Sequence, residues 1–528
     1  MSARTFALVS LVFVLLAQLS SWELASAAFG VGAAVAWSLR GRLAAGGLRP
    51  LPVGLVAAIA VVFQAWLVTQ GSFAFDVPEE LGSAYDSLAH HLRRGSAEVD
   101  RDAIGPEAWH RDGRTFMYFG PGPALLRGIL SALVAGRDGL WSRCSVLMAV
   151  VLGLWAAAAM TVDALARNRS LSSGQRGALG LATLVALAMG SPLLVIGSLA
   201  YLYHEAIAWG LCGALWALRC ALRLLDGDER PLWWAAGLAA AAGVALLSRL
   251  TFGAPAYAIL GLLAARHLWQ RRADRGALLR ETARLGLVMI PALAALAMQA
   301  WYNHARFGSV LSFADWSGYW GGGRPGFQSA VDLRRLVPRV VAYFGIGPEN
   351  FSAHAPFLVF RRVTFAIPAL PQMPSAHRAI VISPLLTAPW LLFGLAGLRR
   401  ARSWDPWRVA CVLCLAGQAV LICSYYWIGY RYVAEFLPLI LALHATWLVS
   451  LGSAGRSARG SAWALAAVTG LAVAASGLSS LDLHRRVPGF PQEHRLRMAE
   501  LLERGDRALG TTPVPQDPRG KRASRRPR

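Results

Sequence analysis

Between Leu51 and Leu481 the chain repeats one arrangement: a largely apolar stretch of about twenty residues, then a connection that gathers most of the charges. Twenty apolar residues in helical form span the hydrocarbon of a bilayer, because only a helix satisfies its backbone groups internally there. Such stretches lie near 51–70, 144–163, 177–198, 204–222, 231–248, 251–265, 285–302, 380–398, 408–427, 432–450 and 461–481. The apolar first fifty residues add a helical hairpin. The expected architecture is therefore an all-α polytopic membrane protein with about 11–13 transmembrane helices. Composition agrees, since 15% of residues are charged against about 25% in soluble domains. The N-terminal segment admits a second reading as a signal peptide cut after Ala25-Ser-Ala27. Cleavage would leave Arg40, Arg42 and Arg49 outside and invert every later connection, which favours the uncleaved hairpin of residues 1–50.

The arginines orient the bundle. Arg167, Arg169 and Arg176 fill one connection, and Arg219, Arg223 and Arg230 the next alternate one. Arg266 to Arg284, Arg399 to Arg408, and Arg456 with Arg459 complete the series. By parity all fall on one side, which the positive-inside rule makes cytoplasmic. Two long polar segments, 71–143 and 303–379, then form large external loops of a domain spanning 51–481. The stretch 123–140 is apolar but carries Arg127, Arg137 and Asp138, and reads as an interfacial helix on the outer leaflet. Residues 482–528 form a basic tail whose last fifteen or so residues, rich in Pro, Arg and Gly, have little to bury and are expected to be disordered. No internal repeat of fixed period is apparent.

The formal charge of +23 does not signal nucleic-acid binding, because it is nearly all arginine placed in short connections and Lys521 is the only lysine. The six cysteines all sit in or beside apolar stretches. Cys411-x-x-Cys414 lacks a second pair and a flanking βαβ pattern, so packed helix cysteines are expected rather than a redox or metal site.

Polar groups that packing does not demand gather on the outer side. Asp76, Glu79, Glu80 and Asp86 follow the first span. If residues 79–91 are helical, Glu79, Asp86 and His90 share a face. His204 and Glu205 open a later span, and Arg249 sits at an outer helix end. Asn303 and Arg306, in Trp301-Tyr-Asn-His-Ala-Arg-Phe-Gly308, open the second large loop. Tyr430 and Arg431 lie in the aromatic segment Tyr425–Tyr432. A carboxylate near an apolar interface has its pKa raised toward what a general base needs. An arginine fork matches phosphate. Bland alternatives stand beside each: Glu79 or Glu80 as the start of an exposed helix, Arg249 and Arg431 snorkelling to headgroups, and His204 as a satisfied interfacial histidine. Gly321-Gly-Gly-Arg324-Pro-Gly326 reads more simply as a flexible loop than as an anion site. No metal-ligand spacing is evident, so no cofactor is expected, and a divalent metal is unsupported.

Several of these segments resemble the GT-C superfamily of polytopic glycosyltransferases. They are the acidic opening of the first outer loop, Tyr85-Asp-Ser-Leu-Ala-His-His-Leu-Arg-Arg-Gly95, Asp112-Gly-Arg-Thr-Phe-Met-Tyr-Phe-Gly-Pro-Gly-Pro123, Tyr302-Asn-His-Ala-Arg-Phe-Gly308 and Gly429-Tyr-Arg-Tyr-Val-Ala-Glu-Phe-Leu-Pro438. Bacterial members include protein O-mannosyltransferases and the lipid A aminoarabinose and galacturonic acid transferases. The resemblance implies an inverting transfer of a sugar from a polyprenyl-phosphate donor to a lipid, glycan or protein acceptor, outside the bacterial inner membrane. It places the catalytic carboxylate among Asp76, Glu79, Glu80 and Asp86. His204, Glu205, Arg249, Asn303, Arg306, Tyr430 and Arg431 are the expected substrate-binding groups. The sequence departs from the usual acidic pair directly after the first span, since Asp76 stands alone. A transporter or flippase of lipid-linked substrates is the alternative, as is a non-catalytic envelope assembly protein on the same scaffold.

Overall fold

The computed structural model describes residues 21–134, 136–312, 331–363, 379–398, 404–425, 427–452, 455–486 and 492–508. Among these, eight helices are long and apolar enough to cross a membrane: Pro50–Val68, Ser142–Arg167, Ser173–Gly197, Leu202–Leu225, Pro231–Ser248, Pro406–Ser424, Tyr430–Ser450 and Gly460–His484. A ninth span results if Leu278–Val288 and Ile290–Phe307, bent by 53° at their junction, count as one. The chain is a multi-pass, almost entirely helical membrane protein. The expected count of 11–13 falls to eight or nine for four reasons, one of them that Ser21–Ala45, the hairpin's second arm, is helical but is not among the qualifying spans. The first arm of the N-terminal hairpin lies outside the described residues. Leu250–Arg271 is helical but is not among the qualifying spans. The 380–398 stretch breaks into a strand residue pair, a four-residue turn of helix and Leu391–Gly397.

The helices, in chain order, are α1 (Ser21–Ala45), α2 (Pro50–Val68), α3 (Ala84–Arg93), α4 (Gly122–Leu133), α5 (Ser142–Arg167), α6 (Ser173–Met189), α7 (Pro192–Gly197), α8 (Leu202–Leu225), α9 (Pro231–Ser248), α10 (Leu250–Arg271), α11 (Arg275–Val288), α12 (Ile290–Phe307), α13 (Leu336–Phe344), α14 (Leu391–Gly397), α15 (Pro406–Ser424), α16 (Leu437–Ser450), α17 (Gly455–Arg486) and α18 (Gln492–Ala508). Their starts follow ordinary chemistry. Pro sits in the first turn of α2, α7, α9, α12, α15 and α16, where its missing N–H costs nothing. Ser172 and Gln175 close a capping box on α6. Gly308, at φ +73°, ends α12 in the left-handed conformation. Ala25-Ser-Ala27 lies inside α1, which packs along α2. The tail boundary expected near 482 falls inside α17, which runs on to Arg486.

Helix α8 is the axis of the bundle, packed against α5, α9 and α10. At one end of the bundle the arginine-bearing connections converge. Arg42 and Arg223 pair with Asp163, Arg167 and Arg408 with Asp226, and Arg223 with Asp228. Connections far apart in sequence thus share one side, as their parity required.

The first long loop folds at the opposite end. Residues 80–83 form turns, with Leu81 at φ +58°, and the helix begins only at Ala84. The left-handed Leu81 interrupts any helix through this stretch, and the turn requires Gly82, where a Cβ would sit 2.8 Å from the Glu79 carbonyl oxygen and 3.0 Å from Ser142 Oγ. Glu79 therefore does not share a helix face with Asp86 and His90, contrary to the expectation. Beyond α3, β1 (Ala108–Arg111) and β2 (Arg114–Met117) form an antiparallel hairpin. Its turn residues Asp112 and Gly113 have φ +50° and +74°, the pattern that makes Asp-Gly a two-residue hairpin turn. Trp301–Phe307, expected to open the second loop, instead forms the last turns of α12. Of that loop, residues 313–330 and 364–378, Gly321–Gly326 among them, lie outside the described residues.

Candidate functional site

Five consecutive residues, Tyr201-Leu-Tyr-His-Glu205, start α8 and hold the loop end together. Four of them reach different partners. Tyr201 donates its hydroxyl hydrogen to Glu80, and Tyr203 to Glu107. His204 Nε2 lies 2.8 Å from Tyr430 Oη, with the two rings 5.6 Å apart. Glu205 meets Arg127.

Arg127 is the most heavily engaged side chain at this end. Its Nε donates to Glu205 Oε1 at 2.9 Å, and one Nη2 hydrogen goes to Glu205 Oε2. The other Nη2 hydrogen goes to Ser142 Oγ at 2.8 Å. Nη1 donates to Asp86 Oδ2 at 2.8 Å and to the Gly82 carbonyl at 2.6 Å. All five guanidinium donors are thus matched in a site sealed from solvent. Behind them, Ser145 Oγ donates to Glu205 Oε1 at 2.6 Å, and Trp209 Nε1 to Ser145 Oγ at 2.9 Å. The Gly139 N–H caps Asp86 Oδ2 at 2.9 Å. One cation between two carboxylates leaves an excess negative charge. Burial pushes the Asp86 carboxyl above its usual range, with Arg127 pulling the other way, and Asp86 Oδ1 has no hydrogen-bond partner. The sequence reading treated Arg127 as the polar mark of a helix lying on the leaflet. Helix α4 is there, but its arginine points inward. Asp86 and Glu205, expected as base and as substrate-binding group, are both committed to it.

A second arginine clamps the hairpin. Arg306 Nη1 donates to the carbonyls of Met117 at 3.0 Å and Tyr118 at 2.8 Å, and its plane lies 3.8 Å from the Tyr302 ring centre. Nη2 donates to Asn303 Oδ1 at 3.0 Å, which also accepts from Gln299 Nε2 at 2.8 Å. Arg306 and Asn303 are fully buried in this work. Gly120 and Gly122 let the following turn press on α9: a Cβ at 120 would run into the Leu247 carbonyl, and one at 122 would lie 2.6 Å from Ser248 Oγ.

What remains toward the open side is a smaller set. Asp76 is exposed and has no hydrogen-bond or ion-pair partner among the described residues. Glu80 is exposed apart from its bond to Tyr201. Glu79 is tied to Arg143, which also donates to the Ala74 carbonyl at 2.6 Å. Burial raises the Glu79 pKa, and Arg143 counters it. Arg431 stacks 4.1 Å from the Tyr203 ring centre and 5.5 Å from Tyr432, and makes no ion pair among the described residues. Arg249 donates to Glu435 Oε1 at 2.7 Å, beneath the Tyr432 ring. Tyr118 and Tyr425 meet hydroxyl to hydroxyl at 3.3 Å.

The contacts Glu80–Tyr201, Tyr201–His204, His204–Tyr430 and Tyr203–Arg431 draw the first loop, α8 and the segment before α16 into one patch. Sequence reasoning missed Arg127, Arg143, Tyr201 and Tyr203. The signal for Arg127 was its setting, an arginine between Leu125-Leu126 and Gly128-Ile129-Leu130 in an apolar helix, since ionisable groups in such settings are paired inward. Among the described residues no three His, Cys, Asp or Glu side chains group as a metal site.

No protein-family model matches the chain, and no curated protein matches it. Among solved structures it is similar to the crystal structure of the Archaeoglobus fulgidus oligosaccharyltransferase in the apo form, with 14% identity and a TM-score of 0.41. It is likewise similar to the archaeal oligosaccharyltransferase AglB from Archaeoglobus fulgidus in complex with an inhibitory peptide and a dolichol-phosphate, with 14% identity and a TM-score of 0.40. Each match covers 88% of this chain, and the chain spans 60% of the length of each of those structures.

Proposed function

We propose that this protein is an inverting glycosyltransferase of the bacterial inner membrane. It moves a sugar from a polyprenyl-phosphate donor to a hydroxyl of a lipid, glycan or protein acceptor on the outer side. The observation that carries the reading is a division of labour at the loop end. Asp86, Glu205, Asn303 and Arg306 are spent on packing, whereas Arg431 has no ion pair among the described residues, Glu80 reaches the same patch through Tyr201, and Asp76 is exposed in the same first loop.

The chemistry needs those two kinds of group. The acceptor oxygen attacks the anomeric carbon as its bond to the phosphate oxygen breaks. The acceptor proton passes to a carboxylate, and the departing phosphate gains charge that a guanidinium fork stabilises. Asp76 is the first candidate for the base because no hydrogen bond or ion pair holds it among the described residues, and Glu80 is the second. Glu79 positions the loop through Arg143. His204 and Tyr430 set the floor beside Arg431, and Arg249 with Glu435 supports it from below. No metal or cofactor is part of the proposal.

The test combines binding and complementation. Arg431→Gln should weaken binding of a polyprenyl phosphate by about tenfold or more, from a charge-assisted contact of about 1.5–3 kcal/mol. Arg431→Lys should recover only part of that. Asp76→Asn or Glu80→Gln should fail to restore the glycan profile of a deletion strain at normal protein level, as loss of a base costs roughly 10²–10⁴-fold in rate. Full complementation by both carboxylate variants, with unchanged lipid-phosphate binding in Arg431→Gln, would remove the proposal.

A further inference from the structure

A groove of about 680 Å³ runs between α3, α4 and α12, away from the patch around Arg431. Its walls are apolar, from Leu92, Gly128, Ile129, Met298 and Trp301, and its polar edge is Arg93. The volume lies within the ordinary range for small-ligand sites, roughly 300–1,000 Å³. Both helices that flank it carry bare apolar side chains. On α4 these are Leu125, Ile129 and Leu133, one per helical turn, the last two 61% and 70% exposed. On α12 they are Ile290, Leu293, Leu296 and Trp301. Apolar faces of this kind, on the short apolar helix α4 and on α12, the second half of the bent candidate span, suit hydrocarbon, so we take the groove to open toward the bilayer rather than into water. Trp301, near the α12 end, is the residue type that settles at the headgroup level.

The charge at the rim is unmatched. Arg93 and Arg94 close α3, both exposed and neither in an ion pair among the described residues. The local carboxylates have other partners: Asp138 lies 2.9 Å from His90 Nε2, and Asp100 pairs with His91 and Ser87. An apolar slot edged by Arg93, with Arg94 next to it in the chain and neither in an ion pair among the described residues, fits a molecule with an apolar body and an anionic head.

We infer that this groove binds one anionic phospholipid of the surrounding bilayer, its acyl chain along Ile129 and Met298 and its phosphate at Arg93 and Arg94. The lipid would close the gap between the first loop and α12, the helix whose Arg306 clamps the hairpin. The inference does not depend on the proposed activity, since none of its residues belongs to the Arg431 patch.

Gly128 allows a clean test. A Cβ there meets only Ala89 Cβ, at 3.6 Å, which is ordinary contact, so a side chain can start at 128 without a clash and Gly128→Leu projects into the groove. The purified full chain would be incubated with phosphatidylglycerol or phosphatidylcholine at limiting lipid, and bound lipid counted by native mass spectrometry. The wild type should retain one phosphatidylglycerol and less phosphatidylcholine. Arg93→Gln with Arg94→Gln should lower phosphatidylglycerol affinity by about fivefold per arginine and level the two lipids. Gly128→Leu should abolish the retained lipid of either class. The rim variants lie on the exposed end of α3, so they report even where Gly128→Leu fails to fold. Equal retention of both lipids by the wild type, or undiminished retention in Gly128→Leu, overturns the inference. So does a retained polyprenyl phosphate or a second copy of the chain at this face.

Discussion

Removing Arg127 is the sharpest perturbation the structure offers, because two buried carboxylates depend on one guanidinium. Arg127→Met keeps most of the side-chain volume and deletes five donated hydrogen bonds, to Glu205 twice, Asp86, Ser142 and Gly82. Breaking a buried ion pair by removing one partner costs about 3–5 kcal/mol, since the remaining charge stays buried without compensation. Here two charges remain, so the cost should fall at the upper end, a factor of about 10³ or more in the folding equilibrium. The variant should also acquire a pH dependence with a definite sign. Burial already raises Asp86, and Arg127 opposes it; without the arginine the folded pKa rises further above the unfolded value. Such a group binds its proton more tightly when folded. Its neutral form is tolerated at low pH, and stability is lost as pH rises through the folded pKa. Arg127→Met should therefore be closest to wild type near pH 5 and furthest from it near pH 8. Urea or thermal unfolding of the detergent-purified protein at both pH values measures this. Adding Glu205→Gln to Arg127→Met should return part of the loss, with a coupling of at least about 2 kcal/mol. A cost below about 1 kcal/mol, or a deficit that grows toward acid, would refute the account of this network.

Two further outcomes follow from the loop end. Arg306→Leu should cost about 1.5–3 kcal/mol or more and make the β1–β2 hairpin a preferred cleavage site in limited proteolysis. An unchanged digestion pattern would mean that the carbonyls of Met117 and Tyr118 are held by something else. Asp100, mostly exposed, has its pKa lowered first by the Ser87 hydrogen bond and then by His91. Its stabilisation is present above the unfolded value near 4 and is lost as pH falls through the lower folded value. Wild type and Asp100→Asn should thus differ in melting temperature at pH 6 and converge in strong acid, whereas a difference that persists unchanged into acid would reject that role.

Which parts were legible in the sequence depends on the range of the physics behind each. Spans are local, and so were readable: Ser142–Arg167, Leu202–Leu225 and Pro231–Ser248 fall on their apolar stretches because twenty apolar residues need no partner to declare themselves. The shared side of Arg42, Arg167, Arg223 and Arg408 was readable too, as parity is a count along the chain. The Asp112-Gly113 hairpin carried a local signal that the surrounding polar run concealed. The failures are of another kind. Arg127, Arg306 and Arg431 look alike as letters, each an arginine beside aromatic or apolar residues. Burial decides between them, and burial depends on whether a carboxylate or a set of carbonyls arrives from 41 to 189 positions away. Arg127 finds two carboxylates and Arg306 finds the backbone carbonyls of Met117, Tyr118 and Phe119, so both become structural. Arg431 finds two tyrosine faces, which orient a guanidinium without neutralising it. That difference is why the proposed site is built on Arg431, which of the three alone has neither a carboxylate nor a carbonyl partner among the described residues.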